Sequence, residues 1–344
     1  MERETIYEGL VRKGVSRRDF LKFCATTAAV LGLSSSFVPK IADAMEKKEK
    51  PVVVWLHFQD CTGCSESVLR ATKPTIGQIV LDLVSLEYHE TIMAAAGHQA
   101  EKSLHDAIKK YKGKYLVVVE GSIPTKDGGL YCCIGGRSAV DIMKEVAKDC
   151  LAIIAIGNCA TFGGIPAAKP NPTGAVGVKD IIKDKPVINL AGCPPNAENF
   201  TATLVYFLTF GKLPKTDNLS RPLFAHGILI HDNCERRGHF DTGQFAKSWG
   251  DKGHRQGLCL FELGCKGPFS YKNCPTIRWN DGTSWPVMAG HPCVACAEPK
   301  FWDNHTPFYA GADTKDGYFA KAAKIGLGAM AMASFKSQEE IRNK

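Results

Sequence analysis

Cys61 and Cys64, in Cys61-Thr62-Gly63-Cys64-Ser65-Glu66-Ser67, are two thiols three residues apart that can grip one metal centre. Gly63 lets the backbone fold between them. Alone, such a pair suits zinc, a redox disulfide or an iron–sulfur cluster. The remaining cysteines narrow the choice. The 344 residues contain 14, mostly in turns rich in glycine and proline. Cys159 lies in Gly157-Asn158-Cys159-Ala160-Thr161-Phe162-Gly163-Gly164, and Cys193 in Gly192-Cys193-Pro194-Pro195. With Cys61 and Cys64 they offer four thiolates, which suits a [4Fe–4S] cluster. Zinc is the alternative, but zinc sites usually use local pairs, and this set has one pair and two distant singles.

A second set is His231, Cys234, Cys259 and Cys265. His231 and Cys234 are local to each other, and Gly264-Cys265-Lys266-Gly267-Pro268 is a tight turn. Spacing alone leans to zinc here; a [4Fe–4S] cluster with one imidazole ligand is the other possibility, and the neighbouring sets favour it. The third set is Cys274, Cys293 and Cys296, in Asn273-Cys274-Pro275 and Gly290-His291-Pro292-Cys293-Val294-Ala295-Cys296. Three cysteines without an evident fourth suit a [3Fe–4S] cluster, a cubane lacking one iron.

The elements that must position these residues follow from hydrophobic pattern. Apolar runs at Val52–Phe58, Val84–His89, Tyr115–Glu120, Leu151–Ile156 and Val187–Leu190 read as strands. Helical spacing appears over Ala94–Tyr111, Gly136–Lys148 and Asn196–Leu208, and a helix is expected to begin near Val68. Continuous apolar strands alternating with helices predict an α/β fold: a flavodoxin-like, doubly wound parallel sheet with its ligands at the carboxyl ends of the strands. The first set obeys that rule. Beyond Ser220 the periodicity stops, and Gly, Pro, Cys, His and Trp dominate to residue 310. Such a region needs metal or covalent staples in place of an ordinary core. The expected organisation is a signal at 1–44, a flavodoxin-like domain at 45–220, an irregular cluster-stapled domain at 221–310 and a tail at 311–344.

Ser16-Arg17-Arg18-Asp19-Phe20-Leu21-Lys22, the apolar run to Val38 and Ala42-Asp43-Ala44 come in the order of a twin-arginine export signal with its cleavage site. That route carries folded proteins, so many cysteines favour preloaded clusters over disulfides. The implied address is the periplasm. Residues 45–50 read as a solvated start to the mature chain. A net charge of +8 with scattered basic residues gives no nucleic-acid footprint. The late apolar stretch Ile325–Phe335 is too short to span a bilayer, so no transmembrane helix is expected.

These motifs together resemble the small subunit of [NiFe] hydrogenases across residues 45–310. The matching stretches are Asp60–Glu66, Ile156–Gly164, Gly192–Asn196, His231-Asp232-Asn233-Cys234, Gly264–Pro268, Trp285-Pro286-Val287 and Gly290–Cys296. The resemblance implies that Cys61, Cys64, Cys159 and Cys193 hold a proximal [4Fe–4S] cluster beside the large subunit. It places a medial [3Fe–4S] at Cys274, Cys293 and Cys296, and a distal [4Fe–4S] at His231, Cys234, Cys259 and Cys265. Pro286 stands where a fourth cysteine would complete the medial cubane. Gly63 and Gly164 stand where oxygen-tolerant relatives carry extra cysteines, which implies an oxygen-sensitive enzyme. Electrons from hydrogen oxidation at the large subunit's Ni–Fe site would leave to a c-type cytochrome or a membrane quinone-reducing subunit.

Rival readings are a cluster subunit of a complex-I-like quinone reductase, a disulfide-stapled secreted binding protein and a zinc-only structural protein. Cys132 and Cys133 follow the third strand and read as structural, as does Cys150, while Cys24 falls in the signal. His57, His89, His98 and His105 read as packing or surface residues, and Asp60 and Glu66 as caps or as groups that tune the first cluster.

Overall fold

The computed structural model describes residues 5–12, 14–47, 49–71, 75–79 and 83–309. It divides into two compact units, Met1–Gly227 and Ile228–Lys344. The tail and Ile325–Phe335 lie outside the described residues. Among the described residues no helix is long and apolar enough to cross a membrane.

The first unit is built on five parallel strands: β1 (Val52–His57), β2 (Ser85–His89), β3 (Tyr115–Glu120), β4 (Ala152–Ile156) and β5 (Val187–Leu190). Their spatial order is β2-β1-β3-β4-β5, the doubly wound order expected. Every residue of β1, β3 and β4 is buried. Alternation sends their side chains into two cores. Val53, Trp55, Leu116, Val118 and Ile154 face one side, with α4 (Gly63–Leu69) and α8 (Ala197–Phe210). Val52, Val54, Val117, Val119 and Ile153 face the other, with α5 (His98–Lys110) and α6 (Ala139–Lys148). Each buried Val, Ile or Leu contributes ~1.5–3 kcal/mol, enough to offset the ~1–2 kcal/mol that fixing one strand residue costs.

Register decides where the site forms. His57 pairs with Glu120, Glu120 with Ile156 and Ile156 with Leu190, so β1, β3, β4 and β5 end in one row. The chain leaves that row into the turns that carry Cys61, Cys159 and Cys193. After β4 it turns directly into the short helix α7 (Gly157–Phe162).

Two local features depart from expectation. Helix α4 starts at Gly63 and ends at Leu69, so it closes where the sequence suggested it would begin. Thr62 enters it with φ +60°, a strained setting for a β-branched residue. A buried carboxylate compensates. Glu120, fully buried at the end of β3, accepts from Cys64 N at 2.9 Å, from Ser65 N at 3.0 Å and from Ser65 Oγ at 2.6 Å. It satisfies amides that the first turn of a helix otherwise leaves without partners. The second departure is the N-terminus. α1 (Ile6–Arg12), α2 (Arg17–Val30) and α3 (Val38–Lys47) pack onto the first core, and Met45 is fully buried rather than solvated.

The second unit has no described helix longer than five residues. Its small core joins Ile230, Ala246, Leu260, Leu263, Trp285 and Val287 to Cys274 and Cys293. Short turns and isolated bridges, such as Phe245 with Cys259 and Leu229 with Tyr271, replace a sheet.

Glu120→Gln keeps the shape but removes the charge that gathers these donors. The expected loss is about 1–3 kcal/mol, read as a fall in Tm of roughly 2–4 °C per kcal/mol. An unchanged Tm contradicts the anchoring role.

Candidate metal centres

The structure brings Cys61, Cys64, Cys159 and Cys193 together at the carboxyl edge of the sheet. Cys64 Sγ lies in the field of Glu120 and of the Cys159, Cys193 and Cys61 thiols, and Cys159 in that of Cys193 and Cys61. Cys61 reaches the group from the strained turn before α4, Cys64 from the first turn of α4, Cys159 from α7, and Cys193 from the loop before α8. Cys61 and Cys193 are exposed and the other two half-buried, so the group sits at the rim of its unit.

Two glycines shape this pocket. A Cβ on Gly157 would overlap Cys64 Sγ, and one on Gly164 would overlap Cys159 Sγ. Both also have positive φ, +83° and +61°, so glycine is required twice over. Burial pushes the Cys64 thiol well up, and Glu120 adds to the shift. Burial likewise pushes Cys159 up to about 12, with Cys193 adding to it. Thiols so disfavoured as anions need a cationic centre to become thiolates. Four convergent sulfurs with side-chain volume removed around them fit a four-iron cluster.

His57, Asp60 and Glu120 form a second, unforeseen group beside this set, with ligand-type atoms within 4.8 Å of one another. His57 Nδ1 lies 2.8 Å from Asp60 Oδ2, and Asp60 Oδ1 accepts from Thr62 N at 3.0 Å. Burial opposes charge on His57, but Asp60 and Glu120 outweigh it and raise its pKa. His89, packed 4.8 Å from the His57 ring, is instead lowered to about 4, chiefly by burial. Asp60 therefore holds the turn, while Glu66 pairs with the exposed Arg70. His98 and His105 are exposed, and Cys150 is core. Cys132 is half-buried and Cys133 exposed.

In the second unit, His231, Cys234, Cys259 and Cys265 line one pocket together with Ile230, Leu260, Trp285 and Val287. His231 Nε2 is buried and has no hydrogen-bond partner among the described residues. The ring is fixed edge-on to Phe240 at 4.5 Å, and burial lowers its pKa to about 4. A neutral imidazole with a buried nitrogen that has no hydrogen-bond partner has a lone pair that a metal could take. Burial pushes Cys234 up to about 11 and Cys259 to about 12, and raises Cys265 as well. One imidazole and three thiols around a mostly apolar pocket fit a cluster with mixed ligands.

Cys274, Cys293 and Cys296 also converge: Cys293 lies in the fields of Cys265, Cys296 and Cys274. Cys274 and Cys293 are buried, and burial raises both thiols. Backbone amides address the sulfurs. Ala295 N donates to Cys293 Sγ at 3.4 Å and Arg236 N to Cys234 Sγ at 3.4 Å. Cys293 N donates to Cys265 Sγ at 3.3 Å, which ties the second and third sets together by one hydrogen bond. Pro286 is exposed between buried Trp285 and Val287. Lys266 and Lys272, each 1% exposed, are buried cations beside Cys265 and Cys274 that composition gives no means to single out.

The chain is similar to known proteins. Residues 226–309 match the family that describes the C-terminal part of the NiFe/NiFeSe hydrogenase small subunit, and residues 61–207 match the family of the 20 Kd subunit of NADH ubiquinone oxidoreductase. The uptake hydrogenase small subunit of Azotobacter vinelandii is 51% identical over 300 residues, covering 87% of this chain and 84% of that one. The periplasmic [NiFe] hydrogenase small subunit 1 of Nitratidesulfovibrio vulgaris is 51% identical over 309 residues, 89% of this chain and 97% of its own. Among solved structures, a chain of the Dm. baculatum [NiFeSe]-hydrogenase superposes with a TM-score of 0.72 at 37% identity, over 77% of this chain and all of that one. The chain belongs to the family of [NiFe] hydrogenase small subunits.

Proposed function

We propose that this chain carries three iron–sulfur clusters that lead electrons away from a hydrogen-splitting large subunit. Cys61, Cys64, Cys159 and Cys193 would hold a proximal [4Fe–4S] cluster. Cys274, Cys293 and Cys296 would hold a medial [3Fe–4S] cluster, and His231, Cys234, Cys259 and Cys265 a distal [4Fe–4S] cluster. When bound, such clusters supply one-electron redox chemistry at potentials set by their surroundings. The protein's own part is to hold, shield and tune. Ile230, Leu260, Trp285 and Val287 give the His231 pocket apolar walls. The amides of Arg236, Cys293 and Ala295 point at sulfur and favour added negative charge there. A neutral His231 lowers the negative charge of the ligand shell relative to four thiolates.

The observation that best supports this reading is the Cys293 N to Cys265 Sγ hydrogen bond, which makes the second and third sets neighbours. An isolated zinc staple has no use for such a link; a relay does. The match to the quinone-reductase family ends before this region, at residue 207. The acceptor would be a c-type cytochrome or a membrane quinone-reducing subunit. Arg17-Arg18 and Ala42-Asp43-Ala44 would send the folded chain to the periplasm by twin-arginine export, in line with the relative named periplasmic.

Anaerobic purification with the co-purifying large subunit should give about 11 irons per small subunit, the sum over two [4Fe–4S] and one [3Fe–4S]. Oxidised protein should show the EPR signal of a [3Fe–4S] centre. Zinc without iron contradicts the proposal; iron without that signal contradicts the Cys274, Cys293, Cys296 assignment. Gly157→Ala should lower iron by about four atoms per chain by blocking the first set, and leave the [3Fe–4S] signal intact. His231→Ala should remove or alter one cluster, and the proximal signals should persist. Full iron and unchanged spectra in either variant contradict the ligand assignments.

A further inference from the structure

We propose that helices α1–α3 form a removable cap on an apolar face of the first unit, and that the large subunit takes over this face. The segment read as a signal is not extended. Ile6, Phe20, Cys24, Ile41 and Met45 are each at most 1% exposed. They share one core with Phe200, Leu204, Val205 and Leu208 of α8 and with Val68 of α4. Helix α8 is apolar or buried along almost its whole length, so removing the cap would bare a broad hydrophobic surface. Mature soluble proteins do not leave such a surface open.

The capped state also closes the processing signals. Ala42 and Ala44 are 5% and 7% exposed inside α3, whereas a peptidase needs its site extended and accessible. Arg17, the first of the arginine pair, is paired with Glu46 and lies 5.2 Å from the centre of the Tyr7 ring. Glu46 lies beyond the expected cleavage point, so this pairing clasps the two sides of the cut. Uncapping must come before processing.

A small pocket lies in the same core, lined by Val53, Trp55, Val68, Leu69, Ile79 and Phe200; Leu69 is exposed and the other five are buried. Through α4 it adjoins Cys64, which packs against the same core. The core that the cap covers therefore extends to Cys64, and a face next to the four-thiol set is suited to the subunit that must deliver electrons to it. The identity of this second occupant rests on the proposed function; the cap itself does not.

Hydrogen exchange by mass spectrometry on the full chain, alone and in the heterodimer, tests both parts. In the chain alone, α2 amides should exchange at least about 100-fold slower than unstructured peptide. In the heterodimer they should come within about tenfold of that free rate while α8 stays protected. Phe20→Asp, which alters only the cap, should free α2 in the chain alone and leave β3 protected. A purified leader peptidase should cut after Ala44 in the heterodimer or in Phe20→Asp, and not in the chain alone. Free-rate exchange of α2 in the wild-type chain alone overturns the cap. Unchanged α2 protection in the heterodimer overturns the change of occupant. Failure of any large subunit to bind overturns the proposed function, and the measurement on the chain alone still decides the cap.

Discussion

In-register parallel pairing ends β1, β3, β4 and β5 in one row, and the first cysteine set depends on it. Cys61 and Cys193 are far apart in sequence, yet their strands finish in the same row, so short turns suffice to bring the thiols together. Shifting one strand by one residue would exchange the residues that face its two cores and withdraw its ligand from the group. Glu120 secures the arrangement from within. Its carboxylate sits in the same row and holds the amides of Cys64 and Ser65, which lets a strained Thr62 turn persist between two sulfurs. The Glu120 carboxylate next to Cys64 opposes ionisation of that thiol, so the iron that would bind there must supply the compensating positive charge.

The second unit solves a different problem. Its described elements are too short to bury a conventional core, and its apolar residues cluster around the thiols instead. Packing and ligation are then one interaction: Trp285 and Val287 wall the His231 cavity and also form the centre of the small core. Sulfurs that receive backbone amides at 3.3–3.4 Å are held by the same turns that shape the unit. Loss of a cluster from such a unit should loosen its fold as well as its redox function.

Apolar runs make the five strands readable, since a buried parallel strand needs a continuous hydrophobic stretch. Glycines flanking the cysteines are readable as well, because only glycine tolerates both the positive φ and the nearby sulfur. Glu120 is not. It ends the run Tyr-Leu-Val-Val-Val-Glu, where a charge normally marks the strand's exit to solvent, and nothing local shows that it folds back under Cys64. The start of α4 is hidden for the same reason: its first turn is stabilised by a residue 56 positions away rather than by a capping side chain of its own. The packing of α1–α3 is hidden because a signal pattern describes how a segment is recognised, while its amphipathic burial appears only once α8 is in place.

Diffraction at the iron absorption edge on crystals of the heterodimer would locate the metal without assuming any ligand. Three separate iron sites are expected in this chain: one bonded to Cys61, Cys64, Cys159 and Cys193, one to Cys274, Cys293 and Cys296, and one to Cys234, Cys259, Cys265 and the orphaned Nε2 of His231. Anomalous signal at the zinc edge instead, or paired sulfurs with no metal between them, would contradict that assignment.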